Sequence, residues 1–179
     1  DLQPAVGPMT KVLTLQNGVE SWEQLQAGLG GGLVLPGTIF IEVRVEAPGV
    51  VRQQGSVSRV VLGEASGAAS PRAEAIAGVL GDAGMPAEVS DDILQVLWTK
   101  WLFIVALAGA TAASRASIAE LLAVSVSRDL VVQVMREVEA VGRGRGVKLD
   151  ADVVEQTLRY METEARSLKA SMHTDLENG

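Results

Sequence analysis

The chain has 179 residues, 47% hydrophobic and 21% charged, with a formal net charge of −7 and no cysteine. That much apolar material supports a sizeable core and excludes global disorder; the acidic balance, pI about 4.8, argues against a nucleic-acid groove built from clustered Lys and Arg. Without cysteine there are no disulfides, no thiolate nucleophile and no Cys-ligated zinc, and no metal site is expected.

Asp1 to Pro8 lacks the basic start and apolar run of a secretory leader, so a cytoplasmic location is expected. Lys11 to Gln16 reads as a short strand ended by an Asn17-Gly18 turn. A short helix follows over Glu20 to Gln26. The glycine-rich Gly28 to Leu33 comes close to a dinucleotide loop, but it lies before a strand and lacks the last glycine, so it reads as a flexible loop. Thr38 to Val45 is a strand, Ala47 to Gly49 a turn, and Val50 to Arg52 and Ser58 to Leu62 are two further strands, the second closed by Gly63. Ser70 and Pro71 cap a helix running to about Leu80.

The pattern changes near residue 90. Ser90, Asp91 and Asp92 signal a helix start, and helices are expected over 91–113, 115–123, 126–145, 150–166 and 169–176. Gly142 to Gly146 ends the third of these, with two exposed arginines, and Asp150 or Asp152 caps the fourth. The domains are therefore 1–89, an α/β half with too few strands for a complete sheet, and 90–179, all helical. The first reads as the second half of an α/β domain whose first half is absent.

Lys100 stands at the centre of an apolar helix. A lysine there either snorkels to water or loses proton affinity through desolvation, and in the second case it is a proton donor near neutral pH. The apolar stretch Trp101 to Ala113 is short of the roughly 20 residues a membrane span needs, and extending it backward takes in Lys100 and Gln95, so no membrane partner is expected. His173, the one histidine, has no ligand pattern and reads as a surface residue. Glu137, Glu139, Glu155, Glu162 and Glu164 read as solvated helix faces.

Five motifs in order resemble the ketopantoate reductase (2-dehydropantoate 2-reductase) family. They are Leu15-Gln16-Asn17-Gly18; Pro48-Gly49-Val50 with Leu62-Gly63; Asp92-Ile93 with Trp98-Thr99-Lys100; Glu137 to Val141 with Gly146-Val147; and Ser171-Met172 with Asp175-Leu176. The resemblance implies a Rossmann-type NADPH domain followed by a helical domain of the 6-phosphogluconate dehydrogenase C-terminal type, with the active site in the cleft between them. It implies reduction of a 2-oxo acid, with NADPH as cofactor and a small-molecule partner, and pantothenate biosynthesis as the setting. It also implies Lys100 as general acid, Asn17 beside nicotinamide and substrate, Ser171 on the substrate carboxylate, and a helical half able to pair two copies as a homodimer.

Three departures accompany the resemblance. The nucleotide fingerprint is missing, so the chain is expected to be incomplete. The family's glutamate after Asp175 would fall beyond Gly179. Ile104 and Ala108 stand where the family carries asparagines, which points to a different or more hydrophobic 2-oxo acid, or to reduced activity. Two other readings stay open: a related β-hydroxyacid-type dehydrogenase, and a non-catalytic module whose helices 91–113 and 126–141 associate with a second copy.

Overall fold

A computed structural model describes residues 3–30, 32–165 and 170–178. The chain divides into two compact units, Asp1–Leu97 and Trp98–Gly179.

The first unit opens on a 3₁₀ turn, Gln3–Ala5, then runs β1 (Val12–Thr14), α1 (Ser21–Leu29), β2 (Val34–Ala47), β3 (Val50–Leu62), α2 (Pro71–Asp82) and β4 (Ala87–Val89). The sheet order is β1-β2-β3-β4. β1 and β2 are parallel with α1 as their crossover, and β3 and β4 are parallel with α2 as theirs. A hairpin joins the two βαβ units; its two-residue connection ends on Gly49, whose φ of 77° is open to glycine at no steric cost.

Side chains alternate across β3. Val60 and Leu62 pack with Leu35, Ala73 and Ala77 under α2. Val61 faces the other way, onto Ile93 and Leu97, with Val19 and Trp22 beside them. Gly37 and Gly63 mark two close approaches. A Cβ on Gly37 would lie 2.8 Å from Leu13 Cδ1, and one on Gly63 would lie 2.3 Å from the Ser90 carbonyl.

Three sequence expectations change here. The two strands expected at 50–52 and 58–62 are one, because the ladder is carried past an irregularity: Ile41 pairs with Ser58 and Glu42 with Gln54, leaving 55–57 as a bulge that contains Gly55 at φ 68°. β2 starts at Val34 rather than Thr38, through Pro36 and Gly37, because Pro36 needs no N–H of its own there and its carbonyl accepts the Gly63 N–H at 3.2 Å. β4 was not expected at all. Three residues carry no period, and they become a strand because β3 offers a ladder edge.

α3 (Ile93–Ser114) carries the division between the units, and α4 (Ile118–Ala123), α5 (Ser125–Gly144), α6 (Val153–Thr163) and α7 (Ser171–Asn178) complete the second. The start of α3 is as the sequence signals: Asp92 Oδ1 accepts the Gln95 N–H at 3.1 Å. The expected helix from 115 begins only at Ile118, because Arg115 is left-handed at φ 60° and Ser117 with Glu120 forms a reciprocal capping box.

α5 buries Val131, Met135 and Gly142; a Cβ on Gly142 would sit 2.9 Å from the Trp98 ring. Arg143 is not a loose surface charge. It donates to the carbonyls of Leu149 and Asp150 at 2.8 and 2.7 Å and ties the loop after α5 to the helix end. α6 starts at Val153, later than expected, because Val147 and Leu149 are spent as buried plugs in the connection. The expected ends at 166 and 169 lie outside the described residues. Glu139 and Glu162, expected as solvated, pair with Arg143 and Arg128 at 2.7 and 3.0 Å.

Candidate active site

Lys100 sits on the third turn of α3. Its neighbours at helical spacing are Val96, Leu97, Phe103 and Ile104, all apolar. Leu97 is 4% exposed and Lys100 itself is half-buried. Loss of water around the ammonium lowers its pKa from the ordinary lysine value to about 8. Such a group is mostly charged at pH 7 and can still release its proton. The rim of α3 is aromatic: Tyr160 of α6 meets Phe103 edge-on, with centroids 5.5 Å apart.

Asn17 lies in the turn between β1 and α1, exposed, at the carboxyl end of a strand in a parallel pair. Ligands of open α/β sheets gather at that end. Gly18, at φ 124°, makes the turn that presents it. Ser171 is the first residue of α7 and is exposed, where helix N–H groups lack intrahelical partners. Asn17 thus belongs to the first unit, and Lys100 and Ser171 to two different helices of the second.

His173 corrects the sequence reading. It is 3% exposed, not a surface residue, because Ala170, just before α7, and His173, in its first turn, both face inward. Its Nε2 lies 3.4 Å from Glu177 Oε1, and its Nδ1 is buried with no hydrogen-bond partner among the described residues. A single histidine without an apolar period around it gives the sequence no sign of this.

One polar cluster escaped the sequence altogether. Arg72 forms a two-pronged pair with Glu64, Nε and Nη2 each 2.7 Å from a carboxylate oxygen, and Ser70 Oγ donates to Glu64 Oε1 at 2.5 Å. Arg72 Nη1 also donates to the Gly32 carbonyl. The Arg72 guanidinium holds the Glu64 carboxyl below its ordinary value, and Glu64 raises Arg72 in turn. Gly32 is therefore fastened by its carbonyl to a cation just before β2. It opens no helix and does not fit a pyrophosphate. Glu64 and Arg72 are eight residues apart on either side of a loop, a spacing with no local signature.

Two crossover units flanking a hairpin, followed by helices that carry a desolvated lysine, define a protein of the α/β plus all-α class: part of a Rossmann-type sheet and then a helical domain. The family models sharpen this. Residues 92–179 match "Ketopantoate reductase PanE/ApbA C terminal" and residues 1–67 match "Ketopantoate reductase PanE/ApbA". The chain belongs to the ketopantoate reductase family.

Among its relatives, the protein named "Uncharacterized oxidoreductase YkpB" of Bacillus subtilis is 31% identical over 181 residues, covering 100% of this chain and 59% of the relative. The 2-dehydropantoate 2-reductase of Mycobacterium tuberculosis is 32% identical over 170 residues, covering 93% and 54%. The crystal structure of 2-dehydropantoate 2-reductase from Geobacter metallireducens superposes with a TM-score of 0.88 at 29% identity, over 99% of this chain and 59% of that one. The chain spans little more than half the length of these relatives.

Proposed function

We propose that the protein carrying this chain reduces a 2-oxo acid to a 2-hydroxy acid with NADPH, in the cytoplasm, with Lys100 as the proton donor. The observation that carries this reading is the desolvated ammonium of Lys100, with its pKa near 8, on a half-open apolar helix of a ketopantoate reductase family member. Residues 1–89 serve as the cofactor half and 90–179 as the substrate half. The nicotinamide, when bound, supplies the hydride that reaches C2 of the oxo acid.

The chain's own residues handle charge and position. As C2 gains the electron pair, negative charge grows on its oxygen. Lys100 Nζ stabilises that charge and then transfers its proton to the oxygen, leaving a neutral amine. Asn17, exposed at a strand's carboxyl end, offers an amide to the carboxamide of the cofactor and to the substrate. Ser171 offers a hydroxyl and a helix-start N–H to the substrate carboxylate. The pyrophosphate is not assigned to the glycine stretch 28–32.

The test is Lys100→Ala in the full-length protein, following NADPH oxidation against ketopantoate and other 2-oxo acids. A loss of about 10²- to 10⁴-fold in kcat is expected. An unchanged turnover removes Lys100 from the reaction.

A second reading rests on α5, where Val126 (78% exposed), Leu130 (55%) and Val141 (56%) share one side of the helix. Such a stripe suits association with a second copy, as a homodimer of the enzyme or as a module without chemistry. Sedimentation of Leu130→Glu against the wild-type protein tests the pairing, and the Lys100→Ala assay separates enzyme from module.

A further inference from the structure

The Asn17-Gly18 step can react with itself. The carboxamide carbon of an asparagine is open to attack by the backbone nitrogen of the next residue, and a glycine there has no side chain to obstruct the approach. The attack closes a five-membered ring, so the fold decides whether it happens. An N–H held in a helix or a ladder, or a carboxamide tied by hydrogen bonds, keeps nitrogen and carbon apart.

The structure leaves this pair unrestrained. Residues 16–20 form a bend between β1 and α1, outside any helix or strand. Asn17 is exposed, and among the described residues neither its carboxamide nor the Gly18 N–H takes part in a hydrogen bond. Gly18, at φ 124°, has open space where a Cβ would point, with nothing within 4 Å apart from its chain neighbours. The other asparagine, Asn178, also precedes a glycine, but its backbone belongs to α7.

We propose that Asn17 is a site of self-modification that lowers the activity of the folded protein as it ages. The Gly18 nitrogen bonds to Asn17 Cγ and gives up its proton, ammonia leaves, and a cyclic imide forms. Water then adds to one of the two imide carbonyl carbons, that carbon's bond to nitrogen breaks, and the nitrogen regains a proton. The product is aspartate or isoaspartate, according to the carbon attacked. The net change is one water consumed, one ammonia released and a carboxylate in place of a carboxamide, with no redox step. The loss of activity rests on the function proposed above, in which Asn17 meets an anionic 2-oxo acid. A carboxylate there cannot donate a hydrogen bond, and it repels the carboxylate of the substrate.

The test ages the full-length protein for days in mildly alkaline buffer, sampling peptide masses and 2-oxo acid reduction with NADPH. The tryptic peptide 12–44, in which Asn17 is the one asparagine, should gain about one dalton and split into aspartate and isoaspartate forms. The rate should be comparable with that of the urea-unfolded chain, and kcat/KM should fall in step with the modified fraction. Asn17→Asp, made directly, should show a loss of about tenfold or more in kcat/KM. Asn17→Gln closes a six-membered ring far more slowly and should not gain the mass, which places the change at residue 17 rather than at Gln16, Gln24 or Gln26.

A folded chain protected from a mass gain that the unfolded chain undergoes overturns the inference and leaves the reductase reading standing. A gain that persists in Asn17→Gln overturns it too. A gain without loss of activity, together with a fully active Asn17→Asp, overturns it and also takes Asn17, but not Lys100, out of the reductase reading. Fresh protein that reduces no 2-oxo acid overturns that reading and the loss of activity inferred from it, while the peptide masses still decide the modification.

Discussion

The two units treat buried charge in opposite ways. In the first, Glu64 and Arg72 are mostly buried, about a fifth exposed, but each is met by the other, and each has its charged form reinforced. In the second, Lys100 is half-buried on an apolar helix, and the leading influence on it is loss of water, which weakens its charged form. The first arrangement suits fastening: it ties α2 to the entry of β2 through Gly32. The second suits chemistry, because a group whose charge is held weakly gives up its proton near neutral pH.

The largest effect expected from breaking this contrast is catalytic. Lys100→Arg should fail almost as fully as Lys100→Ala in 2-oxo acid reduction, by about 10²-fold or more, because a guanidinium keeps charge but does not release a proton. In the wild type, the reduction rate should fall above about pH 8, where the amine is neutral and has no proton to give. Full activity of Lys100→Arg in a steady-state assay would show that the residue supplies only charge.

Next comes the fastening. Glu64→Gln leaves Arg72 without its counter-charge and should cost about 2–4 kcal/mol in urea unfolding at pH 7. The sign with pH follows from the lowered Glu64 pKa. The carboxylate's contribution is complete above its unfolded value of 4.5 and is lost as pH falls through the lower folded value. The gap between wild type and variant should therefore close in acid. A gap that stays constant to pH 3 would assign the loss to shape rather than charge.

Overpacking gives an intermediate effect. Gly142→Ala drives a methyl group toward the Trp98 ring, 2.9 Å away, and should cost about 1–3 kcal/mol and disturb tryptophan fluorescence.

The smallest effect has the opposite sign. Lys100→Met should stabilise the protein at pH 7, on the order of 1 kcal/mol once solvent screening is allowed for. Here the folded pKa, about 8, lies below the unfolded 10.5, so the folded state binds fewer protons between these values. The lysine's penalty is complete below pH 8 and fades as pH rises toward 10.5, so the two proteins should converge near pH 10. If thermal melts show Lys100→Met destabilised at pH 7, the two units do not differ in how they hold buried charge.

Much of the layout was legible because it is written in local patterns. The Ser70-Pro71 and Asp92 helix starts, the Gly49 turn and the glycine stop after residue 142 need only neighbouring residues to act. Lys100 was legible as a lysine between apolar turns, but its burial, not the sequence, decides between snorkelling and desolvation. The family motifs added Asn17 and Ser171 as candidates, which composition and period alone leave as a turn residue and a helix start. What failed to show was long-range. β4 exists because of the β3 edge, the strand break at 55–57 is bridged by its partner, and His173 is inside because its helix turns that face inward.

By itself, then, the sequence determined the class of fold, most of its helices and a lysine set between apolar turns, since hydrophobic period and capping act over a few residues. Only the tertiary structure decided that Glu64 meets Arg72, that the Gly32 carbonyl is fastened by Arg72, and that Gly142 is needed beside Trp98. Those contacts join residues whose spacing along the chain carries no repeat, and they exist only where packing brings the two partners to the same place.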